Sequence, residues 1–224
     1  MSDRNAEQDN LFKEIDEDLR QQKYENLWKK YGKIIIGTLV ALVLGVASVK
    51  GWEAYSLNLK TTDSNLLSSA LKSIDREETE DAVAVLNNLI KSGTTGYSIL
   101  AQFNRAAILV KKGEKKKAID YYLKIAADTR IEKVLRDMAL IKSAYLGLEY
   151  GDSTVFQQKL PKLINTNNTW RHSAKELSAL FAQRLDNKIK ANQLYKELAD
   201  DPTAPTSMRS RAAEMAIILN KKNN

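Results

Sequence analysis

A chain with one histidine and no cysteine has few side chains for metal or nucleophilic chemistry. His172 has no second histidine and no pair of carboxylates at ligand spacing, so neither a metal site nor a Ser–His–Asp triad is expected. The lack of cysteine excludes disulfides, thiolate ligands and a cysteine nucleophile. No Gly-rich phosphate loop, G-x-S-x-G or H-E-x-x-H motif occurs. We therefore predict that the protein is not an enzyme and takes no cofactor and no small-molecule substrate.

Two clusters of charged residues resemble ligand-binding sites in their composition. Five lysines at positions 111, 112, 115, 116 and 117 would suit nucleic acid or anionic lipid, but they flank Gly113 and no aromatic side chains interleave them. Asp200 and Asp201 precede Pro202, without the further oxygen ligands that a calcium loop needs. The sequence predicts turns at both places and no nucleic-acid partner.

The composition is that of a globular chain. Its 224 residues are 43% hydrophobic and 28% charged, with 9 Gly and 3 Pro, which excludes collagen-like and disordered chains. The length suits one domain with an extension, or two small domains. The net charge of +7 is mild, so the placement of the charges matters more than their sum.

A long apolar run predicts a membrane-spanning helix. Residues 34–49 hold no charge, and extension to residues 31–55 adds only Lys33, Lys50 and Glu53 near the ends. Roughly 20 helical residues cross a bilayer core, and lysine side chains reach back to the headgroups. Aromatic residues suited to the two headgroup levels flank the run at Trp28, Tyr31, Trp52 and Tyr55. We predict a transmembrane helix over residues 34–55.

Two other structures can contain such a run. A buried core helix is disfavoured because bulky aliphatic side chains lie on every face. A signal peptide cleaved near residues 45–47 is disfavoured because 33 residues rich in acid precede the run. Retention of the helix is therefore the favoured hypothesis.

The charges around the span predict its orientation. Five basic residues lie between residues 18 and 33 but two between residues 50 and 65, which places the N-terminus in the cytoplasm. The prediction is a cytoplasmic lead-in at 1–33, the span at 34–55 and a helical domain at 56–224 on the other side of the membrane, which in a bacterial inner membrane means the periplasm. Gly37, Ala41 and Gly45 share one face of the span, where small residues would admit a second helix.

Behind the span, apolar residues recur at helical spacing with almost no strand pattern. Matching second helices recur every 35 to 38 residues, at Ala82, Ala118, Phe156 and Ala191. A helical hairpin of about 34 residues is the unit of tetratricopeptide repeats. Small residues for close helix packing are predicted at Ala106, Ala144 and Ala179. The predicted fold is all-α: a single N-terminal transmembrane helix followed by a tetratricopeptide-repeat-like α-solenoid of four helix pairs.

A last helix is predicted to close the solenoid over about residues 206–219. The end of a repeat array needs a polar outer face. Arg209, Arg211 and Glu214 are therefore expected to turn outward.

Several segments resemble one bacterial family in order along the chain: YENLWKKYGK, GWEAY, GYSILAQFNRAA, KKGEKKKAIDYY and ADDPTAPTSMRSRAAEM. The family is the membrane-anchored, tetratricopeptide-repeat-like one that includes the YfgM-type ancillary subunit of the Sec translocon. The resemblance implies a periplasmic helical domain beside the translocon subunits. It also implies work with a membrane-anchored prolyl-isomerase-like chaperone on emerging secreted proteins. It implies no catalytic residues.

The first helices of such an array line its concave, protein-binding side. By position, Phe103, Asn104, Ala107 and Lys142 are candidates to lie there. Asn104 would hydrogen-bond an extended backbone and Lys142 would meet a carboxylate. The alternative is that Asn104 is only solvated and Phe103 belongs to the core.

Three hypotheses remain for the function. The favoured one is a membrane-anchored protein-interaction module, an ancillary subunit of the Sec translocon. The second is a membrane-anchored scaffold for envelope assembly or cell division that is unrelated to secretion. The third is an adaptor that faces the cytoplasm. The first two need the same anchor and the same surface, so the sequence does not separate them.

Overall fold

The computed structural model describes residues 2–165 and 167–221, with side chains from residue 28 onward. All regular elements in those residues are helices, which confirms the all-α prediction. The chain divides into two compact units, Met1–Leu59 and Lys60–Asn224. The dividing point falls inside the first helix, α1, which runs over Ser2–Asp75.

The first unit contains the apolar run, and that run is exposed throughout. Residues 33–55 are all exposed, and Leu42 for example exposes 64% of its surface. The hydroxyls in the run bond to the helix itself: Thr38 donates to the carbonyl of Ile34 and Ser48 to that of Leu44, both at 2.8 Å. Within the described residues, α1 is long and apolar enough to cross a membrane by length and composition.

The second unit holds the repeats. After the end of α1, its helices are α2 (Thr79–Ser92), α3 (Thr95–Lys111), α4 (Lys115–Ala127), α5 (Lys133–Tyr150), α6 (Ser153–Lys159), a 3-10 helix (Leu160–Leu163), α7 (Arg171–Arg184), α8 (Lys188–Ala199) and α9 (Thr206–Lys221). Short turns join them into pairs, the end of α1 with α2, α3 with α4, α5 with α6, and α7 with α8. The last helix, α9, follows the fourth pair.

Three of the turns within pairs have the same backbone. Glu77, Gly113 and Asp186 have positive φ angles of 66°, 78° and 57°. In each turn the following amide donates to the carbonyl five residues earlier: Glu78 to Ser73 at 2.9 Å, Glu114 to Leu109 at 2.9 Å and Asn187 to Ala182 at 2.8 Å. This is the Schellman arrangement for ending a helix. The same turn recurs one repeat later at Gly113 and two repeats after that at Asp186. The backbone therefore shows the same period as the sequence.

Buried alanines allow the helices to pack closely. Ala106, Ala144 and Ala179 are fully buried, which confirms the predicted small positions, and Ala70 holds the same position in the first pair. The second helices repeat the pattern at Ala82, Ala118 and Ala191, all fully buried. The packing therefore follows the period that the sequence indicates.

The third pair departs from this pattern. Phe156 stands where the other second helices have alanine, and its ring fits because Gly147 lies opposite on α5. The expected second helix also ends early, since α6 stops at Lys159 and a 3-10 turn follows. Pro161 is the reason, because it has no amide to donate and its ring crowds the preceding helical turn.

Two buried polar side chains connect elements of the second unit that are distant in sequence. The carboxylate of Asp63 accepts a hydrogen bond from the amide of Thr94 at 2.6 Å, just before α3 begins. The side-chain amide of Asn192 on α8 donates to the carbonyl of Ala216 on α9 at 2.8 Å. Both bonds satisfy groups that would otherwise be buried without partners.

The last helix appears as predicted, but one of its side chains does not lie as expected. Arg211 and Glu214 are exposed. Arg209 is half-buried, and its Nε donates to the carbonyl of Ala199 at 3.2 Å. The prediction of an outward Arg209 is therefore wrong, because the free carbonyls at the end of α8 bind the guanidinium.

Candidate protein-binding surface

The first helices of the pairs carry the exposed side chains that are candidates for binding a partner. Each of these helices buries one stripe and leaves another in solvent, because its apolar residues recur at three- and four-residue spacing. We call the solvent stripes of the first helices α3, α5 and α7, together with that of α9 after the last pair, the first-helix face. Its wholly or partly exposed members are Leu100, Asn104, Ala107, Val134, Lys142, Tyr145, Glu176, Leu180 and Arg211.

Two predicted polar residues of this face occupy the same position in successive repeats. Asn104 on α3 is half-buried, and its Nδ2 donates to the carbonyl of Leu100 at 2.8 Å. Lys142 on α5 is exposed, and no residue that the structure describes pairs with it. The Asn104 side-chain oxygen and the Lys142 ammonium are thus available to a partner.

The two predicted apolar residues lie in different environments. Ala107 is exposed on α3. Phe103 is half-buried and packs on Tyr122 of α4, with ring centroids 5.9 Å apart at 49°. The structure therefore brings Asn104, Ala107 and Lys142 to the first-helix face, while most of Phe103 contributes to packing between α3 and α4.

Two large side chains of this face are absent from the sequence prediction. Leu100 exposes 48% of its surface one turn before Asn104, and Tyr145 exposes 47% one turn after Lys142. The position of Tyr145 was accessible from the sequence, because it holds the repeat position of Ala107, 38 residues later. Tyrosine is enriched in protein interfaces, so Tyr145 adds an apolar contact residue one turn from Lys142.

Polar contacts fix the relative positions of the later helices on this face. Arg211 donates from Nε and Nη2 to Oε1 of Glu176, at 3.2 and 2.9 Å. The Arg211–Glu176 hydrogen bonds thus connect α9 to α7 on this face.

Burial raises the pKa of the Tyr145 phenol and Glu176 raises it further, while a hydrogen bond with Ser173 lowers it. Burial, and then Glu176, also raises the pKa of Tyr195 to about 12. Tyr195, however, is buried on α8 and does not belong to the first-helix face.

The histidine takes part in a turn. His172 Nε2 lies 3.2 Å from Oδ2 of Asp201 and 3.3 Å from Oγ1 of Thr203. The hydroxyl and the amide of Thr203 both donate to Asp201, which lowers the pKa of that carboxyl to about 2. Among the described residues, no three His, Asp or Glu side chains are placed to hold a metal ion. We interpret His172 as a link between the start of α7 and the α8–α9 turn.

The lysines from residue 111 to 117 lie in and beside the α3–α4 turn. Two of them form ion pairs, Lys112 with Glu80 at 2.6 Å and Lys117 with Glu114 at 2.5 Å. These bonds and charges lower the pKa values of both glutamates. Part of the positive charge of the run is therefore already compensated within the protein.

The small residues of the apolar run form an open strip on α1. Gly37, Ala41 and Gly45 are exposed, and no atom lies within 4 Å of the place where a Cβ on either glycine would stand. Small residues at this spacing allow the backbone of another helix to approach closely. The strip is thus sterically available for helix pairing.

Comparison with known proteins identifies the repeats. A family model described as a tetratricopeptide repeat-like domain matches residues 25–215. This range includes the apolar run and all four helix pairs. A search of curated proteins and a search of solved structures find no match.

Proposed function

The chain belongs to the tetratricopeptide repeat-like domain family, and on that basis we propose that it is a membrane-anchored module that binds other proteins through the first-helix face. Repeat arrays of this kind typically serve as binding scaffolds rather than as catalysts. The observation that carries the proposal is that Leu100, Lys142 and Tyr145 are all exposed on first helices. Tyrosine and leucine would supply apolar contact area, and the lysine would supply a cation for a carboxylate.

The anchor in this proposal is the run over residues 34–55. Its side chains are exposed, whereas a core helix of the same composition would be buried. The hydroxyls of Thr38 and Ser48 already bond within the helix, so they need no partner from water or lipid. The aromatic residues at both ends favour the two headgroup levels.

The proposed orientation has the N-terminus in the cytoplasm and the repeats in the periplasm of a bacterial inner membrane. The end of the run at residues 29–33 carries three lysines, whereas Lys50 at the other end is paired with Glu53. Cytoplasmic flanks of membrane helices carry the excess of lysine and arginine. A reporter fused after Asn224 that is active only in the cytoplasm would contradict this orientation.

The finer proposal is an ancillary role at the Sec translocon. The support is the family resemblance of the ordered segments, from the basic-aromatic lead-in to the tail near Pro202. The partners would be translocon subunits and a periplasmic prolyl-isomerase-like chaperone, and the clients would be emerging secreted proteins. A scaffold for envelope assembly or division is the alternative role of the same anchored module.

Purification of the full-length protein from membranes in mild detergent, with mass spectrometry of the proteins recovered, tests this role. The matched control is the double variant Lys142→Glu/Tyr145→Ala, because Lys142 is exposed, Tyr145 is half-exposed and neither belongs to a buried core cluster. We expect the translocon channel and the chaperone with the native chain and much less of both with the variant. Recovery of envelope-assembly or division proteins without the channel would favour the scaffold. Identical recovery with both chains would contradict binding through this face.

A further inference from the structure

The two ends of the apolar run differ in uncompensated charge. Lys29, Lys30 and Lys33 are all exposed, and no acidic residue lies between residues 28 and 33. Within the described residues, Lys30 and Lys33 form no ion pair. At the other end Lys50 pairs with Glu53 at 2.8 Å. One end thus presents two cations, Lys30 and Lys33, that form no ion pair within the described residues, whereas Lys50 at the other end is paired.

Aromatic side chains beside these lysines indicate the depth at which the lysines would lie in a bilayer. The indole of Trp28 lies against Gly32, where an added Cβ would stand 3.2 Å from two ring atoms. The Lys30 ammonium lies 5.3 Å from the centre of the Tyr31 ring. Such rings favour the headgroup region of a bilayer, and lysines beside them extend toward the phosphates.

The spacing places the lysines on one side of the helix. With 3.6 residues per turn, Lys29, Lys30 and Lys33 share an arc of about 100°. Trp28 lies outside this arc, about 100° from its nearer edge. A single phosphate group can therefore face more than one ammonium without displacing the indole.

We propose that Lys30 and Lys33, with Lys29 beside them, form a binding site for the phosphate headgroup of an acidic phospholipid in the cytoplasmic leaflet. The inference rests on the proposed anchoring, which alone brings headgroups to this level. A zwitterionic headgroup carries its own cation and leaves the lysines uncompensated, whereas an acidic headgroup carries a net negative charge. The paired Lys50 offers no equivalent site at the other end.

The test uses the full-length chain in vesicles of phosphatidylglycerol and phosphatidylcholine, with tryptophan quenching by a brominated form of either lipid. Replacement of Trp52→Phe and Trp170→Phe leaves Trp28 as the reporter of the lysine end. Replacement of Trp28→Phe and Trp170→Phe leaves Trp52 as the reporter of the other end. We expect the brominated acidic lipid to quench Trp28 several-fold more than the brominated zwitterionic lipid, and both to quench Trp52 equally.

Lysine variants test whether Lys30 and Lys33 cause the preference for the acidic lipid at Trp28. Lys30→Gln/Lys33→Gln should bring the quenching of Trp28 by the two lipids close to equal, since each lysine near a charged surface contributes roughly fivefold to the attraction of an acidic lipid. Lys50→Gln/Glu53→Gln is the matched control: it removes an ion pair without changing the net charge of that end and should leave both reporters unchanged. Preference that survives Lys30→Gln/Lys33→Gln would overturn the assignment.

Three further outcomes separate the possible failures. Equal quenching of Trp28 by the two lipids would overturn the site while leaving the anchor intact. A preference that disappears when inorganic phosphate replaces chloride at constant ionic strength would also overturn it, because the site would then take the free anion. Absence of quenching at both Trp28 and Trp52 would contradict the anchoring itself.

Discussion

The ring of Phe156 lies so close to Gly147 that a Cβ on the glycine would stand 2.2 Å from the ring's Cε2 atom. In the other repeats the second helix carries a buried alanine at the position of Phe156. The same ring stacks on Phe181 of α7, with centroids 4.9 Å apart. The missing side chain of Gly147 therefore makes room for a ring that joins three helices.

Gly147→Ala is expected to lower the free energy of unfolding by about 1–3 kcal/mol, because the added methyl forces the Phe156 ring to move. Urea unfolding of the full-length protein in detergent, followed by circular dichroism, measures this. Gly96→Ala is the control, since a Cβ there meets nothing within 4 Å. It should be neutral or stabilising by up to about 1 kcal/mol, because alanine favours helix over glycine. Equal effects of the two substitutions would contradict the close approach.

The repeated turns predict that glycine is the most favourable residue at three equivalent positions with positive φ. Glu77→Gly should raise stability by roughly 0.5–1 kcal/mol, because a side chain with positive φ is strained. Asp186→Gly should gain less, since aspartate tolerates this conformation better. Gly113→Ala should lose about 1 kcal/mol for the same reason. The same unfolding measurement checks all three, and a loss at Glu77 would show that its side chain makes an overriding contact.

The turn after α8 predicts a pH-dependent contribution to stability. The hydrogen bonds from Thr203 lower the pKa of Asp201 to about 2, below its ordinary value of 3.8. A lowered folded-state pKa gives stability that is complete above the unfolded value and is lost as the pH falls from about 4 toward 2. Asp201→Asn should therefore be less stable than the native chain at pH 6, and the difference should shrink across that range.

Urea midpoints measured at a series of pH values test this, with Asp200→Asn as the neighbouring control. Asp200 is exposed, and its side chain has no hydrogen-bond or ion-pair partner among the described residues. A difference for Asp201→Asn that is constant down to pH 2 would contradict the proposed origin.

The small-residue strip on α1 predicts a selective effect in the membrane. Replacement of Gly37, Ala41 and Gly45 by leucine should preserve insertion, because leucine favours a bilayer at least as well. It should weaken any lateral helix partner, because the backbones are held apart. Recovery of membrane partners in mild detergent measures the effect, and extraction by alkali serves as the control for insertion. Unchanged recovery of membrane partners would contradict a role of this strip in helix pairing.

The helical period was predictable because the repeats encode it in many residues at once. Ala106, Ala144 and Ala179 are spaced as the period requires, and all are buried. The exception at Phe156 was not predictable, since a phenylalanine in an apolar stripe is ordinary. Its compensation by Gly147 lies on another helix, and only the fold brings the two together.

The turns could also be predicted from the sequence only in part. Gly113 indicates a positive φ from its residue type alone. Glu77 and Asp186 have the same backbone without that indication, because the Schellman hydrogen bonds outweigh a modest local strain. The contact between His172 and Asp201 spans 29 residues, so no local pattern could reveal it.

The candidate surface was predictable in part. The repeat position placed Asn104 and Lys142 on first helices, but it did not show that Asn104 also bonds to its own helix. Phe103 was ambiguous because its packing depends on Tyr122, which comes from the next helix. That these residues bind a partner stays a prediction.

Crosslinking from Tyr145 is the measurement that tests the central claim most directly. A photoreactive phenylalanine analogue replaces Tyr145 in the full-length chain, and a second chain carries it at Lys196, which is exposed on α8. After illumination of intact cells, we expect discrete protein adducts from position 145 in the membrane fraction and few from position 196. Adducts of equal yield and pattern at both positions, or none at position 145, would contradict a membrane-anchored module that binds through its first-helix face.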